Sequence, residues 1–255
     1  MWDLIFVGNI SEDNIIINAS NKSNKCIGGS AVYSSFASRI SNEFLKIGII
    51  GKCNGKYKNI IEQNKIDFLG KIVVDNTIFY IDEIKNTCEG ENYNNVCYEN
   101  SKKVKTRHLH ISFRKGISVE QIIENELIEY DSLSVDVMIY SVNFFIPVLK
   151  KYSNKIDILF CNMDEYIMIK EYIDSKTIVV ITNNSKPVTA LAFNKIYMAE
   201  VDYIYNVLST TGAGDSFIGG FLGRYLQEKN LEESIKSGIM ISQKSILNIR
   251  TFNEQ

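Results

Sequence analysis

Two rhythms alternate along this chain. Short unbroken apolar runs come first: Leu4-Ile5-Phe6-Val7, closed by Gly8, then Leu45 to Ile50, Leu109 to Phe113, Val135 to Val142, Ile156 to Cys161 and Thr177 to Thr182. An unbroken run reads as a strand covered on both faces, the usual condition of a parallel sheet. Between them lie stretches with apolar residues at helical spacing, among them Ala31 to Ile40, Tyr57 to Asn64, Ser118 to Tyr130, Pro147 to Tyr152, Tyr166 to Ile173 and Leu231 to Ile246. After Asp215, Phe217, Ile218, Phe221, Leu222, Tyr225 and Leu226 repeat at the same period, which starts another helix there. Two further strands are read around Val188 to Phe193 and Lys195 to Ala199. This alternation predicts an α/β fold, a doubly wound, mainly parallel sheet flanked by helices.

Two segments break the rhythm. Ile15-Ile16-Ile17, Thr77 to Ile81 and Asn95 to Tyr98 are β-prone, with no long helix between the last two and the polar stretch Asn86 to Asn94 as a loop or hairpin tip. Such strands do not fit an alternating core. Residues of about 14–27 and 72–100 are therefore expected to form a small separate sheet growing out of one domain that spans 1–255.

Composition narrows the function classes. With 255 residues, 45% apolar content and a net charge of −2, the chain fills a sizeable core and has no overall field favouring nucleic acid or an anionic membrane. No run of about 18 apolar residues suggests a membrane span. Met1-Trp2-Asp3 opens a strand-like stretch without the basic segment of a secretory leader. The five cysteines are scattered and lack a Cys-x-x-Cys pair, which favours a reducing cytoplasm over a disulfide framework. Lys102 to Arg107 reads as a solvated basic loop, and His108 and His110 as two residues on one face of an ordinary strand rather than a metal pair. Gly51 to Lys56 is not a phosphate-binding P-loop, since its glycine spacing is one short and Tyr57 stands where a Ser or Thr is needed. No Gly-x-Gly-x-x-Gly follows the first strand, which disfavours a dinucleotide-dependent dehydrogenase.

The candidate chemistry concentrates in Ser209-Thr210-Thr211-Gly212-Ala213-Gly214-Asp215-Ser216-Phe217. Small residues ahead of a helix leave its first N–H groups bare, and with the positive dipole end they attract an anion. Asp215 at the same spot would repel a phosphate unless it takes a proton from the group attacking that phosphate; the plainer reading is an N-capping aspartate. Asp13 follows the carboxyl end of the first strand, where ligands collect in open parallel sheets, and is either a turn residue or a binding carboxylate. Gly28-Gly29 opens a helix and permits close approach of a ligand. Asn162 and Glu165 stand at a strand-to-helix turn.

The string Thr-Thr-Gly-Ala-Gly-Asp-Ser-Phe, followed by Gly219-Gly220, resembles the signature of the ribokinase-like (PfkB) carbohydrate kinase family. The resemblance implies that Gly212, Ala213 and Gly214 form an anion hole for the phosphoryl group and that Asp215 is the catalytic base. It implies substrate contacts from Asp13, from the Gly28 and Gly29 amides and from Tyr33, which stands in the neighbourhood of a ribokinase Asn and either stacks on a ring or packs. Asn162-x-x-Glu165 resembles the family's Asn-x-x-Glu motif, with Glu165 acting on Mg2+ through water. Thr182 and Thr211 are expected on the nucleotide side. The small sheet would be a lid over the sugar and a surface for a homodimer. Besides Tyr33, two further departures stand out: Ser209 replaces an Asp two residues ahead of Thr211, and Asn183-Asn184 replaces a glycine turn, with Asn184 expected in a left-handed conformation.

The expected activity is ATP- and Mg2+-dependent phosphorylation of a hydroxyl on a sugar or sugar-like molecule. The alternatives are a nucleoside kinase of the same fold and a catalytically weak nucleotide-binding regulatory protein.

Overall fold

The computed structural model describes residues 1–17, 23–99, 101–114, 116–138 and 141–248. The first apolar run becomes β1 (Trp2–Val7), and its neighbours on either side are β10 (Val104–Phe113) and β4 (Ile47–Ile50), both parallel to it. Outward from β4 lies β6 (Ile66–Phe68). Outward from β10 come β11 (Ile128–Val137), β12 (Ile158–Asn162), β13 (Ile178–Asn183), β14 (Lys186–Ala192) and β15 (Lys195–Ala199). Among the described residues this is a nine-stranded sheet, parallel except for β14 and β15, which add antiparallel at one edge. The order of connection reverses between β1 and β10, and at such a switch point the carboxyl ends of the strands open a crevice.

Both faces of the sheet are covered, which is why its strands read as unbroken apolar runs. Leu4 and Phe6 face one way, into a core shared with α1 (Ser30–Ser41), α2 (Gly55–Gln63), α6 (Ala213–Glu228) and α7 (Leu231–Ile246). Ile5 and Val7 face the other way, against α3 (Val119–Ile123), α4 (Val142–Tyr152) and α5 (Met163–Ile169). Among the described residues, no helix is long and apolar enough to cross a membrane, and no disulfide joins the five cysteines.

A four-stranded sheet stands apart, in the order β3 (Ser23–Gly28), β2 (Ser11–Ile16), β8 (Thr77–Asp82), β9 (Thr87–Glu91). Its β2–β8 pair is parallel and the other two pairs are antiparallel. The short strands β5 (Lys52–Cys53) and β7 (Lys71–Ile72) pair separately.

Several elements differ from the sequence reading. The small sheet begins at Ser11, so Asp13 lies inside a strand and not in a turn. Its last strand is Thr87–Glu91, within the stretch read as a loop, and the hairpin turn is at 83–86. Val96 instead buries itself below, its N–H donating to Gly116 O at 2.6 Å. The helix read over 118–130 stops at Ile123, because Ile128 joins β10 in register with Val104. Val142 begins α4 and does not end a strand. The basic run is the start of β10: Val104 and Thr106 are buried, while Lys105 and Arg107 point out and pair with Glu129 and Asp3.

Candidate active site

The site grows from the carboxyl ends of the parallel strands. Arg114 follows β10, Asp136 sits near the end of β11, Asn162 ends β12 and Thr182 lies near the end of β13. Together with Glu165, Thr210 and residues 212–215 they line a cleft of about 250 Å³.

Gly212 takes the N-cap position of α6 in a left-handed conformation, φ 74°. A side chain there would be strained, and its Cβ would lie 2.5 Å from Tyr33 Cγ. The Ala213 N–H turns onto Thr210 O at 3.1 Å, and Ser216 N–H onto Gly212 O at 2.8 Å. The N–H groups of Gly212, Gly214 and Asp215 find no acceptor among the described residues, and the space around Gly214 is open. Bare amides at the positive end of a sixteen-residue helix make an anion site.

Asp215 is the third residue of α6 and makes no cap hydrogen bond, so the N-cap reading fails. Its Oδ1 accepts from Arg114 Nη2 at 3.3 Å, and the same nitrogen lies 2.6 Å from Asp136 Oδ2. Burial pushes the Asp215 carboxyl up to about 6; Arg114 pulls it down, and Asp136 and Asp13 push it further up. Burial acts on Asp136 in the same direction, but Arg114 and His110 outweigh it and hold that carboxyl below its ordinary range. Arg114 is thus fixed by one ionised carboxylate while facing a second that titrates near neutrality.

Asp136 belongs to a buried polar row on the α6 face of the sheet. His108 Nδ1 is 2.6 Å from Ser132 Oγ and its Nε2 2.7 Å from Ser134 Oγ. His110 Nδ1 is 2.9 Å from Ser134 Oγ, and its Nε2 is 3.4 Å from Asp136 Oδ1. Burial, then His110 and Lys229, hold His108 well below its usual range, so it is neutral. The two histidines do share one face, as their spacing predicts. Among the described residues no group of three His, Cys, Asp or Glu side chains is placed to hold a metal.

Asp13 lies deep at the other end of the site, 2% exposed. Its Oδ1 accepts from Ser11 Oγ at 2.6 Å, its Oδ2 from Tyr33 OH at 3.0 Å, and the Gly29 N–H also donates to it. Burial raises it to about 6 against those hydrogen bonds. A Cβ on Gly28 would lie 2.0 Å from Asp13 Oδ2, so only glycine fits beside the carboxylate. Tyr33 therefore packs: its ring backs Gly212 and its hydroxyl holds Asp13, joining the two ends of the site.

Asn162 and Glu165 form a capping box on α5. Asn162 Oδ1 accepts from Glu165 N–H at 2.9 Å, and Glu165 Oε2 accepts from Asn162 N–H at 2.7 Å. The motif thus has a local structural role, and both residues also line the cleft. Thr182 lines it too, but Thr211 does not; its N–H and hydroxyl both donate to Glu83. Asn184 is left-handed as expected, φ 52°. Sequence reasoning missed Arg114, Asp136, Ser11 and Glu83. A lone Asp in the apolar run from Val135 and an Arg just past a strand's carboxyl end are signals that would have found the first two. For Glu83 there is none.

A doubly wound sheet with an anion site and a buried carboxylate at its switch point defines an α/β enzyme-like cleft. The chain belongs to the pfkB family of carbohydrate kinases, whose family model matches residues 119–253. Among solved structures, adenosine kinase from Sinorhizobium meliloti matches with a TM-score of 0.78 at 15% identity, over 100% of this chain and 96% of that one. Aminoimidazole riboside kinase from Salmonella enterica, complexed with aminoimidazole riboside and an ATP analog, matches with a TM-score of 0.75 at 14% identity, over 98% and 96% of the two chains. These establish the ribokinase-like fold. Over 69 residues the chain is 35% identical to adenosine kinase 2 of Arabidopsis thaliana, a match covering 26% of this chain and only 20% of that relative.

Proposed function

We propose that the protein transfers the γ-phosphoryl group of ATP to a hydroxyl of a sugar or nucleoside. The observation that carries this is a carboxylate raised to about 6 beside open amides at the start of a long helix. Asp215 takes the proton of the attacking alcohol, and an apparent pKa near working pH suits that task. The Gly212 and Gly214 amides, with that of Asp215, hold the charge spreading over the transferring oxygens; Ala213 supplies smallness, its own N–H being used in the turn. Arg114 adds a fixed positive charge beside them. Most of the acceleration then comes from positioning and electrostatics.

Asp13 binds acceptor hydroxyls. A carboxylate has about four acceptor sites, and its bonds to Ser11, Tyr33 and Gly29 fix its orientation. Thr182, Asn162 and Glu165 lie toward the nucleotide. Mg2+ keeps its waters and leans on substrate phosphates; Asn162 and Glu165, which line the cleft, would hold it through water. When bound it neutralises charge on the phosphates. The small sheet is a lid within one cytoplasmic domain, and its exposed Tyr80 and Ile84 are where a second copy would dock; sedimentation velocity separates dimer from monomer.

The name of the matched Arabidopsis relative supports a nucleoside acceptor as a second reading. The test is ADP release with Mg-ATP over a panel of sugars and nucleosides, for wild type and Asp215→Asn together. Turnover on a panel member, reduced about 10²-fold or more in the variant, is expected. Equal turnover in both removes Asp215 as base. Nucleotide binding without turnover on any member favours a regulatory protein.

A further inference from the structure

The hairpin turn between β8 and β9 carries a carboxylate that the proposed chemistry does not use. Glu83 Oε1 accepts from Ser209 Oγ at 2.7 Å, from the Thr210 and Thr211 N–H groups at 2.9 Å each, and from Thr211 Oγ1 at 2.7 Å. Four donors from three consecutive residues converge on one oxygen. Among the described residues Glu83 pairs with no cation; nearby Lys85 is taken by Asp82. A carboxylate served only by neutral amides and hydroxyls is placed to shape backbone, because charge-assisted hydrogen bonds are roughly twice as strong as neutral ones.

The backbone it shapes is the loop entering α6. Leu208 and Ser209 N–H both donate to Ile246 O of α7, which fixes one side of that loop. Glu83 fixes the other side. Thr210, between them, lines the cleft, and its carbonyl receives the Ala213 N–H. Glu83 itself does not line the cleft, so it holds the loop from behind. Its own N–H donates to Ile16 O at 3.0 Å, and Ile16 ends β2, the strand that carries Asp13.

We propose that Glu83 is a positioning residue that latches the small sheet to loop 209–211, so that Asp13 on the acceptor side and the open amides on the phosphoryl side are set together. The kinetic part rests on the kinase reading above; the structural part does not. Sequence position 209 holds a serine, and the negative charge facing this loop comes instead from a separate sheet. Closure of that sheet thereby becomes a condition for the loop's geometry.

Three variants test this: Glu83→Ala, Glu83→Gln and Glu83→Ala with Ser209→Asp, the last placing a carboxylate inside the loop itself. Amide hydrogen exchange of the ligand-free protein is read first. Glu83→Ala is expected to speed exchange at Thr210 and Thr211 about 10-fold or more, with Glu83→Gln intermediate because its amide oxygen accepts without charge. In turnover of the acceptor found on the panel, Glu83→Ala is expected to lower kcat by about 10- to 100-fold, the cost of small misplacements, and to raise the acceptor KM, with the nucleotide KM near wild type. The double variant is expected to restore amide protection and kcat but not the acceptor KM, since the loop is anchored again while the sheet stays loose. Unchanged exchange in Glu83→Ala overturns the latch. So does a Glu83→Ala enzyme with wild-type or higher kcat, or a double variant that restores nothing. If wild type phosphorylates no panel member, the kinase reading falls and the exchange measurement alone decides the latch.

Discussion

Burial and Arg114 act in opposite senses on the Asp215 proton. In its proposed role as base Asp215 must be ionised, and burial raises its pKa to about 6 despite the guanidinium 3.3 Å away. kcat/KM is therefore expected to rise with pH through about 6 and then level. Arg114→Met removes a group that pulls that pKa down, so the rising limb should move to higher pH and the loss of activity should be larger at pH 6.5 than at 8.5. A limb that stays in place removes Arg114 from the electrostatics of the base. Asp13 gives a stability test of the same physics. Its folded pKa of about 6 exceeds the ordinary 3.8, so the folded state holds the proton more tightly than the unfolded chain. That contribution is complete below the ordinary value and is lost as pH rises through 6. The displacement corresponds to about 3 kcal/mol against the ionised form. Asp13→Asn is expected to melt higher than wild type at pH 8, with the advantage shrinking as pH falls through 6 and gone only below the ordinary 3.8, while acceptor affinity collapses. A variant that melts lower at every pH contradicts this. At this scale the sequence is readable where the residues of the candidate site stand in one contiguous string, as from Thr210 to Asp215, or beside a glycine pair. Arg114, Asp136 and Glu83 come from three separate segments and meet the site only through crossovers of the sheet.

Elements were legible in proportion to how much of their pattern is their own. α7 runs from Leu231 to Ile246 and β15 from Lys195 to Ala199, as their periodicity reads. The helix over 118–130 was overread because Leu127 and Ile128 continue the helical spacing by chance, while Ile128 is buried as the first residue of β11, in register with Val104. The start of α6 is the sharpest case. Its two glycines look alike in sequence but face different surroundings: a Cβ at 212 meets the Tyr33 ring at 2.5 Å, and one at 214 meets nothing within 4 Å. Gly212→Ala is expected to cost about 1–2 kcal/mol from the left-handed backbone alone, to displace Tyr33 from Asp13, and to abolish most activity. Gly214→Ala is expected to hold or raise stability by up to about 1 kcal/mol, alanine being the better helix former, while it crowds the open amides and raises the nucleotide KM. Thermal melts and kinetics of the pair check this. Equal destabilisation by both would mean that the loop, not Tyr33, sets the requirement.

Across the whole molecule the two sheets differ in what holds them. The nine-stranded sheet is sandwiched: β4 is buried along its whole length, and β10 and β11 are buried over their carboxyl-terminal halves. The small sheet is more thinly covered. β9 is exposed at all but Gly90, and β8 is fully buried only at Thr77. Elements with little buried apolar area open at low free energy. That weak burial also explains why the sequence showed this sheet only as an absence of helical spacing, with one strand placed wrongly. Its row with Asp13 in register with Phe79 and Ile15 with Ile81 lies at the proposed acceptor end of the site. An acceptor bound to Asp13 would add cover to Phe79 and Ile81, which are only partly buried. Hydrogen exchange over Thr77–Asp82 and Thr87–Glu91 is therefore expected to be at least about 10-fold faster than over β1, β10 and β12 in the ligand-free protein, and to slow when the acceptor found on the panel is added alone. Mg-ADP alone is expected to protect residues 212–216 instead. If the acceptor protected the cleft loop but left both small-sheet strands unchanged, the sheet would not be the lid, and Asp13 would bind its substrate without closure.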